Sequence, residues 1–252
     1  VIPIQGAVAN GVADDTAVIQ ALIDANPRYA VIDGGGRSFG ITGLRFPNGS
    51  RFLTIQNCRF TLLSDDVAIQ GASTAALVLF GALRNVFIDA TEHTTTGRRC
   101  IDFTAFALST FSELWLLGTA AKTDALYGVR NDDGSAPYYN KFEKVYAGGF
   151  RYGLHSDDAG SSATGPNANS LVDCRFQPGT GNTAVKVSRY SQGWRIWGNT
   201  FESPGGIGID FDGVQCSIKG NRFEALTTAI VLVCIAWQQS LVRHSGLPKI
   251  GR

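Results

Sequence analysis

Apolar and polar positions alternate along this chain in short bursts, and each burst returns at a near-regular interval. One burst reads apolar, two variable residues, a small or amide residue, one variable residue, apolar. Its clearest copies are IQNCRF (55–60), LVDCRF (171–176), IWGNTF (196–201) and IKGNRF (218–223). Degenerate copies fall between them, at Leu83–Val86–Ile88, Phe111–Leu114–Leu116 and Phe142–Val145–Ala147. The first positions are 55, 83, 111, 142, 171, 196 and 218, in steps of 22 to 31 residues. A second burst, small–apolar–polar–apolar, follows 12 to 18 residues after the first-burst positions and supplies apolar anchors at 101, 129, 154, 185, 209 and 230. Two element series with one period predict a solenoid of short parallel strands, because a single coil cannot bury its apolar face until another stacks on it. The period predicts an all-β parallel β-helix of about seven coils, roughly 34 Å long at about 4.8 Å per coil.

Strand alternation assigns each position a side. Ile209 and Phe211 point inward, Asp210 and Asp212 outward. Cys58, Cys174, Asn199 and Asn221 share one inward column, where amides can hydrogen-bond from coil to coil and cysteine fills the same space as a small hydrophobe. Ahead of the coils, GVADDTAVIQALIDANP (11–27) has the pattern of an amphipathic helix. Asp14 or Asp15 can cap its start, Val18, Ile19, Leu22 and Ile23 form its apolar face, and Asn26–Pro27 stops it. A helix there covers the open end of a solenoid, which otherwise exposes unpaired strand edges. The chain therefore divides into a cap with entry strands at 1–50 and a β-helix at 51–252.

Composition narrows the function. Lys and Arg number 22 against 21 Asp and Glu, a net charge of +1, without the basic excess that nucleic-acid binding requires. The longest apolar runs, 75–83 and 229–237, are about nine residues, and a membrane helix needs roughly 20, so no membrane insertion is expected. The five cysteines are scattered without CxxC or CxxH spacing, which argues for free thiols rather than a zinc site or a disulfide framework. The chain starts at Val1, contains no methionine, and shows no closing cap after its last coil. These features predict that a segment precedes Val1 and that a cap or trimerisation region follows Arg252, so the β-helix is truncated at its C-terminus.

Candidate chemistry lies on the outward columns of the second burst. One column reads Asp102, Arg130, His155, Lys186, Asp210, Val231, and the next reads Thr104, Asp132, Asp157, Ser188, Asp212, Val233. Carboxylates on adjacent coils, such as Asp132 and Asp157, would stand about 5 Å apart, and those two coils apart, such as Asp157 and Asp212, about 10 Å. These separations bracket the retaining and inverting geometries of glycosidases. The two longest polar loops, 130–141 and 155–169, leave from the same place and add Asp133, Asp158, Tyr138 and Tyr139. Catalytic roles fall to Asp132, Asp157 and His155, and substrate-binding roles to Arg130, Asp133, Asp158, Tyr138, Tyr139, Lys186 and Asp212. A competing reading treats the Asp-Asp pairs as turn formers and the outward charges as a solvated surface. Glu202 and Glu224 form an alternative carboxylate pair. Trp194 and Trp197 read equally as packing or contact residues. No phosphate loop, serine triad signature or metal motif is present.

The segment G-x-x-D-D-T-x-x-x-Q-x-x-x-D (11–24), followed by VIDGGGRSFGITG (31–43), resembles the entry to pectate-lyase-like right-handed parallel β-helices, above all those of bacteriophage tailspikes. The resemblance is specific over the cap and generic over the coils. It implies a right-handed β-helix, a homotrimer, a virion location beside other tail proteins, and a bacterial surface polysaccharide as ligand. Activity is not fixed by it, since the family holds hydrolases, lyases, epimerases and inert spikes. Three functional readings follow: a receptor-binding spike that cleaves its polysaccharide, most simply by hydrolysis; a non-catalytic structural spike or fibre; and a secreted pectate-lyase-like enzyme. In the last, Arg130 and Lys186 would neutralise a uronate, His155 or a lysine would act as base, and Asp132 and Asp157 would offer oxygen ligands to calcium. No cofactor is expected outside that lyase reading.

Overall fold

In a computed structural model the chain winds into a parallel β-helix of about seven turns, with the right-handed sense expected of parallel crossovers. The residues described are 1–72, 76–92, 98–119, 123–129, 137–157 and 165–233. No helix among them is long and apolar enough to cross a membrane. Each turn contributes to two sheets. The shorter sheet stacks eight strands: Leu44–Phe46, Ile69–Gly71, Arg98–Asp102, Thr123–Val129, Tyr152–Asp157, Thr183–Val187, Ile207–Phe211 and Thr228–Leu232. The longer sheet carries the first burst. There the expected register holds at every step: Ile55, Leu83, Phe111, Phe142, Leu171, Ile196 and Ile218 are consecutive strand partners.

The longer sheet bends at one fixed position per turn. Asn57, Asn85, Glu113, Lys144 and Asp173 occupy the left-handed region there, with φ between 50° and 56°, and Gly198 and Gly220 continue the column at 67° and 64°. Asn, Asp and Gly adopt this conformation at least cost. In early turns one strand runs through the bend, as in Thr54–Leu62. Later turns break there into pairs such as Lys141–Glu143 and Tyr146–Gly148. A second left-handed column precedes the sheet at Tyr29, Phe52, Phe80, Leu108, Tyr139 and Ala168. Its rings stack on one another, Phe52 on Phe80 at 4.7 Å and Tyr29 on Phe52 at 5.1 Å.

The core is a continuous stack of buried Ile, Leu, Val and Phe from both sheets. Trp194 belongs to it, fully buried. Within it run two polar ladders. Asn199 Oδ1 accepts from the Cys174 amide (2.8 Å), its Nδ2 donates to the Leu171 carbonyl (3.1 Å), and Asn221 repeats the pattern against the Asn199 amide (2.9 Å) and the Ile196 carbonyl (2.8 Å). Asn140 and Asn169 build a parallel ladder towards Ser109, Phe106 and Pro137. The column expected to hold Cys58, Cys174, Asn199 and Asn221 is thus present, with coil-to-coil amide bonding.

The cysteines Cys58, Cys100, Cys174 and Cys216 are free thiols. Cys234 lies outside the described residues. Burial pushes the Cys58 and Cys174 thiols up to about 12, and burial raises Cys100 further. A raised value leaves almost no thiolate near neutral pH. Mass-spectrometric alkylation of the native protein at pH 8 is therefore expected to label the partly exposed Cys216 first, with Cys58, Cys100 and Cys174 labelled only after denaturation. Rapid native labelling of Cys100 would contradict this burial.

At the front, Thr16–Ala25 forms the helix, with Ile19 and Ile23 buried beneath it. Two polar residues of the cap motif, Thr16 and Gln20, tie the helix to the body. Thr16 Oγ1 accepts from the Thr42 amide (2.7 Å), and Gln20 brackets Arg45 by bonds to its amide (2.9 Å) and its carbonyl (2.8 Å). The capping expectation is corrected in one respect. Asp15 occupies the cap position, but its buried carboxylate turns away to accept from the Val8 and Ala9 amides (2.7 and 3.0 Å), fixing the entry loop instead. Asp14 accepts from the Thr16 amide (2.9 Å).

Candidate functional site

The shorter sheet positions the candidate site, and its register revises the sequence-based columns at one rung. Ile101 pairs with Leu126, which pairs with Leu154, so the anchor in that turn is Leu126 and not Val129. The first outward column therefore reads Asp102, Tyr127, His155, Lys186, Asp210, Val231. Tyr127 stands where Arg130 was expected. The strand partner of Asp157 is Val129, not Asp132. Arg130, Asp132, Asp133 and Asp158 themselves lie outside the described residues.

Small residues set the geometry of this sheet. Ala125, Gly153, Ala184 and Gly208 lie near the starts of their strands. A Cβ on Gly153 would meet the Phe176 ring at 2.3 Å and the Ala184 carbonyl at 2.7 Å, so only glycine fits. The residues flanking this small column meet three apart on the outer surface, as Arg99 with Asp102 and Tyr152 with His155 do.

Around His155 the structure assembles a group that sequence reasoning found only in part. Asp124, almost fully buried, takes two bonds from Arg151 (Nε 3.0 Å, Nη2 3.1 Å) and lies 3.1 Å from His155 Nδ1. An ionised carboxylate only accepts, so Nδ1 carries the proton and Nε2 faces outward. Nε2 lies 4.0 Å from Asp157 Oδ2, the oxygen that also accepts from the Tyr127 hydroxyl at 3.1 Å. Burial raises the Tyr127 phenol well above its ordinary range, against the lowering effect of the Arg99 guanidinium, so it remains a donor. That guanidinium sits 3.5 Å from the Tyr127 ring centroid and pairs with Asp102.

One rung further, Lys186 is the strand partner of His155 and reaches within 3.9 Å of Asp210. Asp157 and Asp212 directly follow Ser156 and Phe211, which are two rungs apart through Val187. Asp212 Oδ1 is enclosed, without a hydrogen-bond partner among the described residues. Of the residues expected from sequence, His155, Asp157 and Lys186 thus come together on one face, with Asp212 at the end of the strand one rung beyond Lys186.

The remaining candidates stand elsewhere. Tyr138 and Tyr139 contact each other edge-to-face (5.8 Å) in the column Ala107–Tyr138–Asn167, at the corner before the longer sheet. Glu202 and Glu224 are adjacent strand partners, but each is paired with an arginine, Arg175 and Arg222 respectively. Asp124, Arg151, Tyr127 and Arg99 were not anticipated. The signal for Tyr127 was the alternative anchor Leu126. Asp124 and Arg151 carried none, because a polar residue at a strand start reads as a turn.

No protein-family model matches the chain, and no curated protein matches it significantly in sequence. Among solved structures it is similar to Geobacillus virus E2 ORF18 (13% identity, 92% of this chain and 60% of that one, TM-score 0.43). It is similar also to the tailspike protein of Acinetobacter baumannii phage AM24 (13%, 89% and 43%, 0.47). A third is PfbA, a surface adhesin of Streptococcus pneumoniae (10%, 94% and 80%, 0.44). The chain spans well under two thirds of the two phage proteins. At these values the likenesses transfer no activity, ligand or partner.

Proposed function

We propose that the chain is the β-helix of a tailspike-like receptor-binding protein, which binds a bacterial surface polysaccharide across its shorter sheet and cleaves it by hydrolysis. The observation that carries this reading is that Asp157 and Asp212 directly follow Ser156 and Phe211, which lie two rungs apart through Val187, with His155 and Lys186 paired on the same sheet. Two rungs correspond to about 9.6 Å, close to the upper end of the roughly 6.5–9.5 Å that lets a water stand between the acid and base of an inverting glycosidase. Asp157, held by Tyr127, serves as base and takes a proton from that water while its oxygen bonds to the anomeric carbon. Asp212 gives its proton to the departing glycosidic oxygen. The same reading includes a homotrimer on the virion, which sedimentation of the purified protein would test.

A specific feature favours elimination as the second reading. Asp124 fixes the tautomer of His155 and leaves Nε2 free to take the proton beside a uronate carboxylate, with Lys186 one rung away to neutralise that carboxylate. Incubation with panels of capsular polysaccharide and lipopolysaccharide separates the readings by product. New reducing ends without unsaturation support hydrolysis, and unsaturated uronate ends support elimination. Binding without either product supports the non-catalytic spike.

A further inference from the structure

The bend in the longer sheet forms a groove on the outside of the solenoid, of about 480 Å³. Its floor is the backbone of Val86, Leu114 and Val145, whose side chains turn into the core and are at most 2% exposed. One wall is the left-handed corner column Asn85, Glu113, Lys144 and Asp173, all exposed. The facing wall is the in-register column Phe87, Trp115, Tyr146 and Arg175. Polar side chains thus look across a narrow channel at aromatic ones, rung after rung.

The aromatic wall is built, not incidental. Trp115 is 51% exposed, and its ring lies 4.4 Å from that of Tyr146. The Tyr146 hydroxyl donates to Gln177 Oε1 (3.0 Å), which pins the ring along its strand. Gly148 makes room for it: a Cβ there would stand 2.6 Å from the Tyr146 hydroxyl and 3.0 Å from its ring. Gly148 is not among the glycines with positive φ, so space alone requires it. Arg59 closes the far end, 4.7 Å from the Phe87 ring centroid. One exposed and two half-buried aromatics aligned in register form the kind of apolar patch that marks a binding surface.

Charge selects among ligands. Glu113 and Asp173 are balanced by Lys144 and Arg175, and Arg175 is further tied to Glu202 at 2.7 Å. A groove with this balance gives no advantage to a polyanion or a polycation. A ligand with one apolar face and a rim of hydroxyls matches both walls: its C–H face packs on Trp115 and Tyr146, and its hydroxyls meet Asn85, Glu113, Lys144 and Asp173. We propose that this groove is a binding site for a neutral oligosaccharide, separate from the Asp157–Asp212 face. It requires no cleavage and holds whether or not the shorter sheet is catalytic.

The test uses the full chain and neutral oligosaccharides of glucose, galactose, mannose and N-acetylglucosamine, with binding read by saturation-transfer NMR and calorimetry. At least one is expected to bind. Affinity is expected to fall about tenfold or more in Trp115→Ala and in Gly148→Ala, which displaces Tyr146, and to recover in part in Trp115→Tyr. Circular dichroism confirms that each variant is folded, and Trp115→Tyr keeps the test valid if an alanine variant is not. The proposal is overturned if no member of the panel binds, or if Trp115→Ala binds undiminished. It is also overturned if the wild type sediments as an oligomer that Trp115→Ala dissociates, since the strip is then a subunit contact.

Discussion

Under the proposed hydrolysis, Asp157→Asn and Asp212→Asn are each expected to lower polysaccharide cleavage at least about 100-fold, the usual cost of removing a general acid or base. Asparagine keeps the size of the side chain and can still accept from Tyr127, so thermal stability should change little in Asp157→Asn. The measurement is the initial rate of reducing-end formation, with binding of the uncleaved polymer followed in parallel. Full binding with lost cleavage identifies a chemical role. The double variant should be scarcely slower than either single one, because acid and base act on one bond and their losses do not add. Undiminished cleavage by both single variants would move the chemistry off this face.

Asn199→Ala is expected to destabilise the fold by about 2–5 kcal/mol. The side chain is 1% exposed and makes three bonds that link successive turns. Its loss orphans the Cys174 amide and leaves the Leu171 carbonyl short of a donor, at about 1–3 kcal/mol for each buried group. Denaturant unfolding monitored by circular dichroism reads the loss as a shift in midpoint. Asn199→Asp gives a sharper version. It retains the acceptor for Cys174 but aims a carboxylate oxygen at the Leu171 carbonyl, so the folded state favours the protonated acid. The deficit of Asn199→Asp is then small below the ordinary aspartate value of about 3.9 and grows as pH rises above it. A deficit independent of pH would mean that a water or a rotated side chain had taken up the charge.

The longer sheet was legible because one face of it is buried. The inward spacing of three then two recurs in every turn from Ile55 to Ile218, with the odd step falling at the bend. The strand Thr123–Val129 carried no such signal. It is buried at all seven positions, and Leu126 and Val129 each follow a small residue, so two phases three residues apart fit the sequence equally. That ambiguity hid Tyr127 from the outward column. The corner column passed as a variable position of the repeat, since Asn57, Asn85, Asp173, Gly198 and Gly220, which suit a left-handed backbone, share it with Glu113 and Lys144, which do not. The aromatic groove wall occupies the position that reads as variable in the repeat. Phe87, Trp115 and Tyr146 stand where Arg59, Arg175, Thr200 and Arg222 also occur, and only the stacking shows that the three are neighbours.

The asparagine ladders give the solenoid a direction. Each amide reaches back one turn: its oxygen takes an N–H of the preceding coil, and its nitrogen serves a carbonyl of that coil. Along these ladders a turn is therefore finished by its successor. On a ribosome, where the N-terminus emerges first, order would trail synthesis by one coil, every newly exposed segment locking the one before it. Growth of this kind advances like a zip fastener, and the turn most recently made is always the one still open.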